Sequence, residues 1–155
     1  MSTYTPKQFS DLLQRFGSGF PQAIAGATYQ AAQQLNSDIT GRIFGQETKD
    51  IEGGTRGYRS EGWVTKREDA GLSINRVNLQ YKGSLKKSPE LMREKKAVSL
   101  KIVGSQQVKK ARGNERWYEE ENGAKVFEAS KKEEANAREV FAEAITDYIQ
   151  KYFTL

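Results

Sequence analysis

The sequence contains no cysteine and no histidine. The first absence removes disulfides, thiolate nucleophiles and Cys-built zinc sites, and agrees with a reducing compartment. The second removes Ser-His-Asp and Cys-His nucleophilic systems, the His ligands usual at catalytic zinc, and the side chain whose ordinary pKa lies nearest neutrality. Any catalysis would fall to carboxylates, Lys, Tyr or Ser, so the expectation is a protein that is not an enzyme and uses neither cofactor nor metal. Long apolar runs are missing as well. Nothing approaches the roughly 18 to 20 apolar residues that cross a bilayer, and residues 1–10 lack the basic-then-apolar order of a secretory signal. A soluble chain of the cell interior, without a membrane partner, is expected.

Apolar material is scarce: hydrophobic residues make up 36% of the 155 positions and mean hydropathy is -0.78. Ordering the chain costs about 1 to 2 kcal/mol per residue, so burial against neighbours would help a subunit of this composition. The length suits one domain with a single core. Charge is abundant but uneven. Residues 46–113 carry sixteen basic and eight acidic side chains, whereas residues 114–155 carry six basic and ten acidic, within an overall net charge of +5.

Local signals divide the chain into a helical N-terminus (1–40), a Gly-rich arm (41–71), a sheet region (72–128) and a C-terminal helix (130–153). Thr5-Pro6-Lys7-Gln8 can open a helix, with Thr5 as cap, Pro6 in the first turn and Gln8 reaching back. Phe9, Leu12, Leu13 and Phe16 follow at helical spacing, and Gly17-Ser18-Gly19 is expected to end that helix. A second helix is predicted over residues 21–36, with Ile24, Ala27, Ala31 and Leu35 on one face as ordinary core-facing surface.

Residues 41–71 hold seven glycines and no regular period, which reads as an arm or long hairpin, with a short strand over residues 62–66, that orders fully when a neighbour covers it. A strand or extended lead-in is predicted over residues 72–79. A clearer strand is predicted over residues 97–103, where Val98, Leu100 and Ile102 alternate with Ser99 and Lys101, and residues 106–110 are its expected partner. Residues 117–123 read as a short helical turn stopped by Asn122-Gly123, and residues 124–127 as an extended piece. The capping box Ser130-Lys131-Lys132-Glu133 then opens the last helix, whose apolar stripe runs from Ala137 and Val140 to Tyr152 and Phe153.

Chemical motifs are thin. Glu119-Glu120-Glu121, with Glu115, is the one carboxylate group that a metal enzyme would draw on, but consecutive helical residues diverge and a solvated acidic edge explains them. Gly53-Gly54-Thr55-Arg56-Gly57 has no capped helix behind it to hold a phosphate. The basic series Lys82, Lys86, Lys87, Arg93, Lys95, Lys96, Lys101, Lys109, Lys110 and Arg112 suits a nucleic-acid surface through counterion release. Only Tyr81 accompanies it for base stacking, so a solvated face or an acidic protein partner is favoured. In a ring, the basic middle of one subunit would face the acidic tail of the next.

Gly83-Ser84-Leu85-Lys86-Lys87-Ser88 resembles the Gly-x-Leu-x-x-Ser signature of bacteriophage virion-morphogenesis, neck and tail-completion (tail-terminator-like) proteins. The order of parts over residues 25–153 is similar too: helical N-terminus, Gly-rich arm, signature, strands, an aromatic-acidic-Gly segment and an amphipathic last helix. Lys82 stands where the family often has Thr, and Pro89 where a strand residue is common.

The resemblance implies an α+β subunit, its antiparallel sheet packed against the N-terminal helices and the amphipathic C-terminal helix. It also implies assembly into a hexameric or dodecameric ring at the head-tail junction of a virion built in the host bacterial cytoplasm. Expected partners are further copies, connector or tail-tube proteins and packaged DNA. The residues expected to meet a subunit or partner are Tyr58, Arg59, Trp63, Lys66, Arg67, Gly83, Leu85, Ser88, Trp117 and Tyr118, with Gly83, Leu85 and Ser88 also fixing the turn into the sheet. A small basic nucleic-acid-binding protein is the alternative.

Overall fold

The computed structural model describes residues 4–55, 57, 60–75, 77–79, 84–94 and 97–153. Within them the chain is α+β: helices α1 (Pro6–Ile43), α2 (Glu61–Asp69), α3 (Ser105–Asn122) and α4 (Lys131–Tyr152) accompany an antiparallel pair of strands, β1 (Pro89–Arg93) and β2 (Val98–Ile102). Helix α1 is the shared element, since α4 runs along it and both strands contact it.

Both expected capping boxes form. Thr5 Oγ1 accepts from the Gln8 amide while Gln8 Oε1 accepts from that of Thr5. Ser130 and Glu133 repeat the exchange at α4. The expected break at Gly17-Ser18-Gly19 is absent, and one helix of 38 residues replaces the predicted two. Pro21 has no N–H to give the Gly17 carbonyl, and two glycines weaken the same turn. Tertiary packing offsets that weakness. Phe16 stacks among Phe20, Tyr148, Tyr152 and Phe153 with ring centroids 5.1 to 5.7 Å away, and the Tyr148 hydroxyl donates to the Phe16 carbonyl at 2.6 Å. Burial, then the neighbouring Tyr152, push the Tyr148 phenol above its ordinary pKa.

The other end of the α1–α4 seam is polar. Asn136 Nδ2 donates to Asp38 at 3.1 Å, and Arg42 meets Glu133. An aromatic end and a charged end fix the antiparallel register, because sliding by one turn would separate both sets at once.

Strand β2 forms as predicted, but its partner is β1, with Leu91 opposite Leu100 and Arg93 opposite Val98. Residues 106–110, expected as that partner, are the first turns of α3. Val108, Ala111, Glu115 and Tyr118 recur at helical spacing there, and Gln106, Gln107, Lys109 and Lys110 are good helix formers. Gly123 ends α3 in the left-handed conformation with φ 72°, as the Asn-Gly signal required. The strand expected over residues 62–66 is also replaced by helix: Glu61 in the first turn of α2 and Lys66 and Arg67 in the last suit the helix dipole. No strand forms among the described part of residues 72–79 or over residues 124–127.

The core lies at the C-terminal end of α1, where Ile39, Ile43 and Phe44 meet Val77, Leu85, Ala111, Tyr118 and Val126. The segment after α1 is tied to this core. Buried Thr48 donates its hydroxyl to the Ile43 carbonyl at 2.6 Å and its amide to that of Val77 at 2.7 Å, and the Tyr118 hydroxyl reaches the Thr48 carbonyl. Asp50 then caps a tight turn by accepting from the Glu52 and Gly54 amides.

Candidate interaction surface

The ten residues expected at an interface separate into two sets once placed. Tyr58, Arg59 and Gly83 lie outside the described residues. Five of the others are turned toward this chain's own interior. Arg67 is 2% exposed; its Nε donates to the Ser73 carbonyl at 2.8 Å and an Nη to Asn78 Oδ1 at 2.9 Å. It ties α2 to the segment that follows. Tyr118 is fully buried and Trp117 packs against the same core in a T-shaped contact with it. Helical spacing places Tyr118 with Ala111 and Val108, a periodicity hidden when residues 106–110 are read as strand.

Leu85 and Ser88 are likewise buried, and their geometry is that of a turn. The Ser88 hydroxyl donates to the Leu85 carbonyl at 2.6 Å and its amide does so at 3.2 Å, while the Ser88 carbonyl accepts from the Val103 amide at 2.8 Å. Leu85 anchors the turn in the core, and Ser88 closes it and passes the chain into β1. Pro89 is tolerated as the first strand residue.

Trp63 and Lys66 are the exposed pair. Trp63 is 42% exposed on the outer side of α2, and the Lys66 ammonium lies 5.8 Å from its ring centroid. Helix α2 therefore buries an arginine and presents a tryptophan, the reverse of the ordinary amphipathic arrangement.

The carboxylates considered for a metal have other work or no convergence. Glu115 Oε2 accepts from the Val126 and Phe127 amides, both at 2.8 Å, and so holds residues 124–127 against α3. Glu120 pairs with Arg116 on the exposed side of α3. Among the described residues no three His, Cys, Asp or Glu side chains converge to hold a cation, and no described helix is long and apolar enough to cross a membrane.

Two features escaped sequence reasoning. Arg42 donates through all five of its N–H positions: to both Glu133 carboxylate oxygens and to the carbonyls of Lys49, Val126 and Glu128. Burial raises the Glu133 pKa, but the Arg42 hydrogen bond and charge and the Ser130 amide outweigh it and hold the carboxyl below its ordinary range. Nothing in the local sequence marks a pairing across 91 positions.

The second is an apolar overhang. Phe9 and Leu13 sit seven residues, or two turns, before Phe16 and Phe20 and continue their stripe, yet they are 46% and 45% exposed. Helix α4 reaches Phe16 with its last residues, so this stripe runs on beyond it. Its periodicity was visible in the sequence, but the length of helix left uncovered was not.

No family model, curated protein or solved structure matches this chain.

Proposed function

We propose that this chain is a structural subunit of a ring at the head-tail junction of a bacteriophage virion, as a neck, tail-completion or tail-terminator component. Its residues act by packing and catalyse no reaction. The observation that carries this reading is the apolar stripe of α1, half-exposed at Phe9 and Leu13 where it runs on past the last residues of α4. Further support comes from the Leu85–Ser88 turn into β1, which gives the Gly-x-Leu-x-x-Ser resemblance a physical purpose, and from exposed Trp63 and Met92. Interface cores favour such aromatic residues and Met. The assembly would be a hexamer or dodecamer meeting connector or tail-tube proteins, formed in the host cytoplasm.

Mass photometry of the purified protein, with immunogold negative-stain images of particles, tests the proposal. A closed ring and label at the neck are expected. A strict monomer that no particle carries would overturn it.

A second reading has one observation in its favour: Lys86, Lys87, Lys109, Lys110 and Arg112 are all exposed. They suit contact with the phosphates of packaged DNA. Binding to duplex DNA should then weaken steeply with salt, with slope about -0.9 per phosphate neutralised; no binding at low salt disposes of it.

A further inference from the structure

Strand β2 has one edge that β1 does not use. Within the pair, the Ser88 carbonyl accepts from the Val103 amide and the Glu94 amide donates to the Ala97 carbonyl, both at 2.8 Å. Bonded and outward-facing residues alternate along an antiparallel pair, so Ser99 and Lys101 turn their backbone groups to β1 while Val98, Leu100 and Ile102 aim theirs away from it. Among the described residues no third strand and no backbone group meets that outer side. The opposite edge is blunted, because Pro89 opens β1 and has no N–H to offer. No proline protects β2.

The open edge borders a groove. About 430 Å³ of space lies between Ile102 at the end of β2, Val108 and Ala111 on α3, and Phe127. Lys101 lines it too. Consecutive residues project from opposite faces of a strand, so a groove that both Lys101 and Ile102 line opens on the strand's edge. Its α3 wall runs from Val108 to Glu115, about 10 Å at 1.5 Å per residue, which matches three residues of extended chain. Charge at the rim is one-sided. Lys101 is held by Glu94 and Glu128 by Lys125, and Glu115 accepts from the Val126 and Phe127 amides. Arg112, exposed on the same wall, forms no ion pair among the described residues.

These features specify an occupant. Outward N–H and C=O groups recurring about every 6.8 Å match the backbone of another extended strand and not that of a helix, whose backbone bonds are internal. The apolar wall suits an aliphatic or aromatic side chain at alternate positions, and Arg112 suits a carboxylate. This chain's own acidic stretch is helical in α3 and α4 and offers no such strand.

We propose that the outer edge of β2 and the groove beside α3 take an extended segment of a partner protein as a further strand. An apolar side chain of that segment lies over Val108, Ala111 and Phe127, and a carboxylate meets Arg112. The site goes beyond the ring reading, since it binds a stretch of chain whether or not copies close a ring.

A yeast-displayed library of random linear dodecapeptides, sorted on the labelled wild-type protein, tests it. The retained peptides are expected to alternate apolar residues with others and to carry Asp or Glu. The best of them is then synthesised with N-methyl groups on alternate amides. Methylating the set that faces β2 should weaken binding about ten-fold or more, and methylating the other set should not, a pattern that only strand addition gives. Arg112→Glu should weaken binding several-fold with unchanged far-UV circular dichroism, whereas Lys109→Glu, equally exposed and outside the groove, should not. No retained peptide, or retained peptides indifferent to both methylation sets and to Arg112→Glu, would overturn the proposal. Self-association of the wild type that these peptides displace would give the edge to a second copy and overturn the partner assignment. A monomeric wild type that binds them as expected keeps this site and removes the ring alone.

Discussion

Arg42 gathers the ends of three segments into one place: the carbonyls of Lys49, Val126 and Glu128 and the carboxylate of Glu133 all meet its guanidinium. With side-chain exposures of 12% and 8%, the pair is poorly screened by water. Removing one partner leaves the other charged and enclosed, which typically costs about 3 to 5 kcal/mol. Arg42→Ala is expected to lose that much in urea unfolding, and Glu133→Gln less, because its amide oxygen still accepts from Ser130. The pH dependence has a definite sign. The folded carboxyl titrates below its ordinary value, so the unfolded state takes up the proton first. The contribution is complete above about pH 4.3, the ordinary Glu value, and is lost as pH falls through the lower folded pKa. Denaturation midpoints measured from pH 7 to pH 3 should fall less in Glu133→Gln than in wild type; parallel curves would show that another carboxylate governs acid unfolding.

The same scale separates Arg67 from Trp63. Replacing Arg67 with Leu strands the Ser73 carbonyl and Asn78, a loss of about 1 to 3 kcal/mol for buried groups left unpaired. Trp63→Ala, at a half-exposed position, should cost less than Arg67→Leu. Thermal unfolding of the two variants distinguishes a buried hydrogen-bonding residue from a half-exposed one.

At the scale of elements, α1 is the instructive case, because its weakest turn contains two glycines with opposite surroundings. A Cβ at Gly17 meets nothing within 4 Å, whereas one at Gly19 falls 2.6 Å from the Tyr148 hydroxyl. Gly17→Ala should therefore stabilise by about 0.5 to 1 kcal/mol. Gly19→Ala should lose that gain or reverse it by displacing the hydroxyl from the Phe16 carbonyl. Equal melting temperatures for the two would mean that Tyr148 does not hold this turn. What could be read from sequence follows the same division. Both capping boxes, the Gly123 stop and β2 rest on near neighbours and were legible. The continuity of α1 and the pairing of β2 with β1 depend on residues far along the chain. So does the conversion of residues 106–110 to helix, where a thin alternation concealed the Val108–Ala111–Tyr118 stripe.

For the whole molecule, sequence reasoning found the aromatic and basic residues of the candidate surface but not their direction. Arg67 and Tyr118 were indistinguishable from Trp63 and Lys66 until the packing of α2 and α3 turned the first two inward. Charge asymmetry, by contrast, is a property of the sequence that folding preserves: exposed Lys109, Lys110 and Arg112 lie in the basic middle, and exposed Glu139 and Glu143 in the acidic tail. In the proposed ring such charges would steer encounter and set its dependence on salt, while an apolar contact would set how long copies stay together. The two contributions are separable. Raising NaCl from 50 to 500 mM shortens the screening length from about 14 Å to about 4 Å, so assembly followed by stopped-flow light scattering should slow at least several-fold. Size at equilibrium, read by sedimentation at protein concentrations well above the dissociation constant, should persist. Dissolution to monomers at high salt would make charge, and not the Phe9–Leu13 stripe, the force that holds copies together.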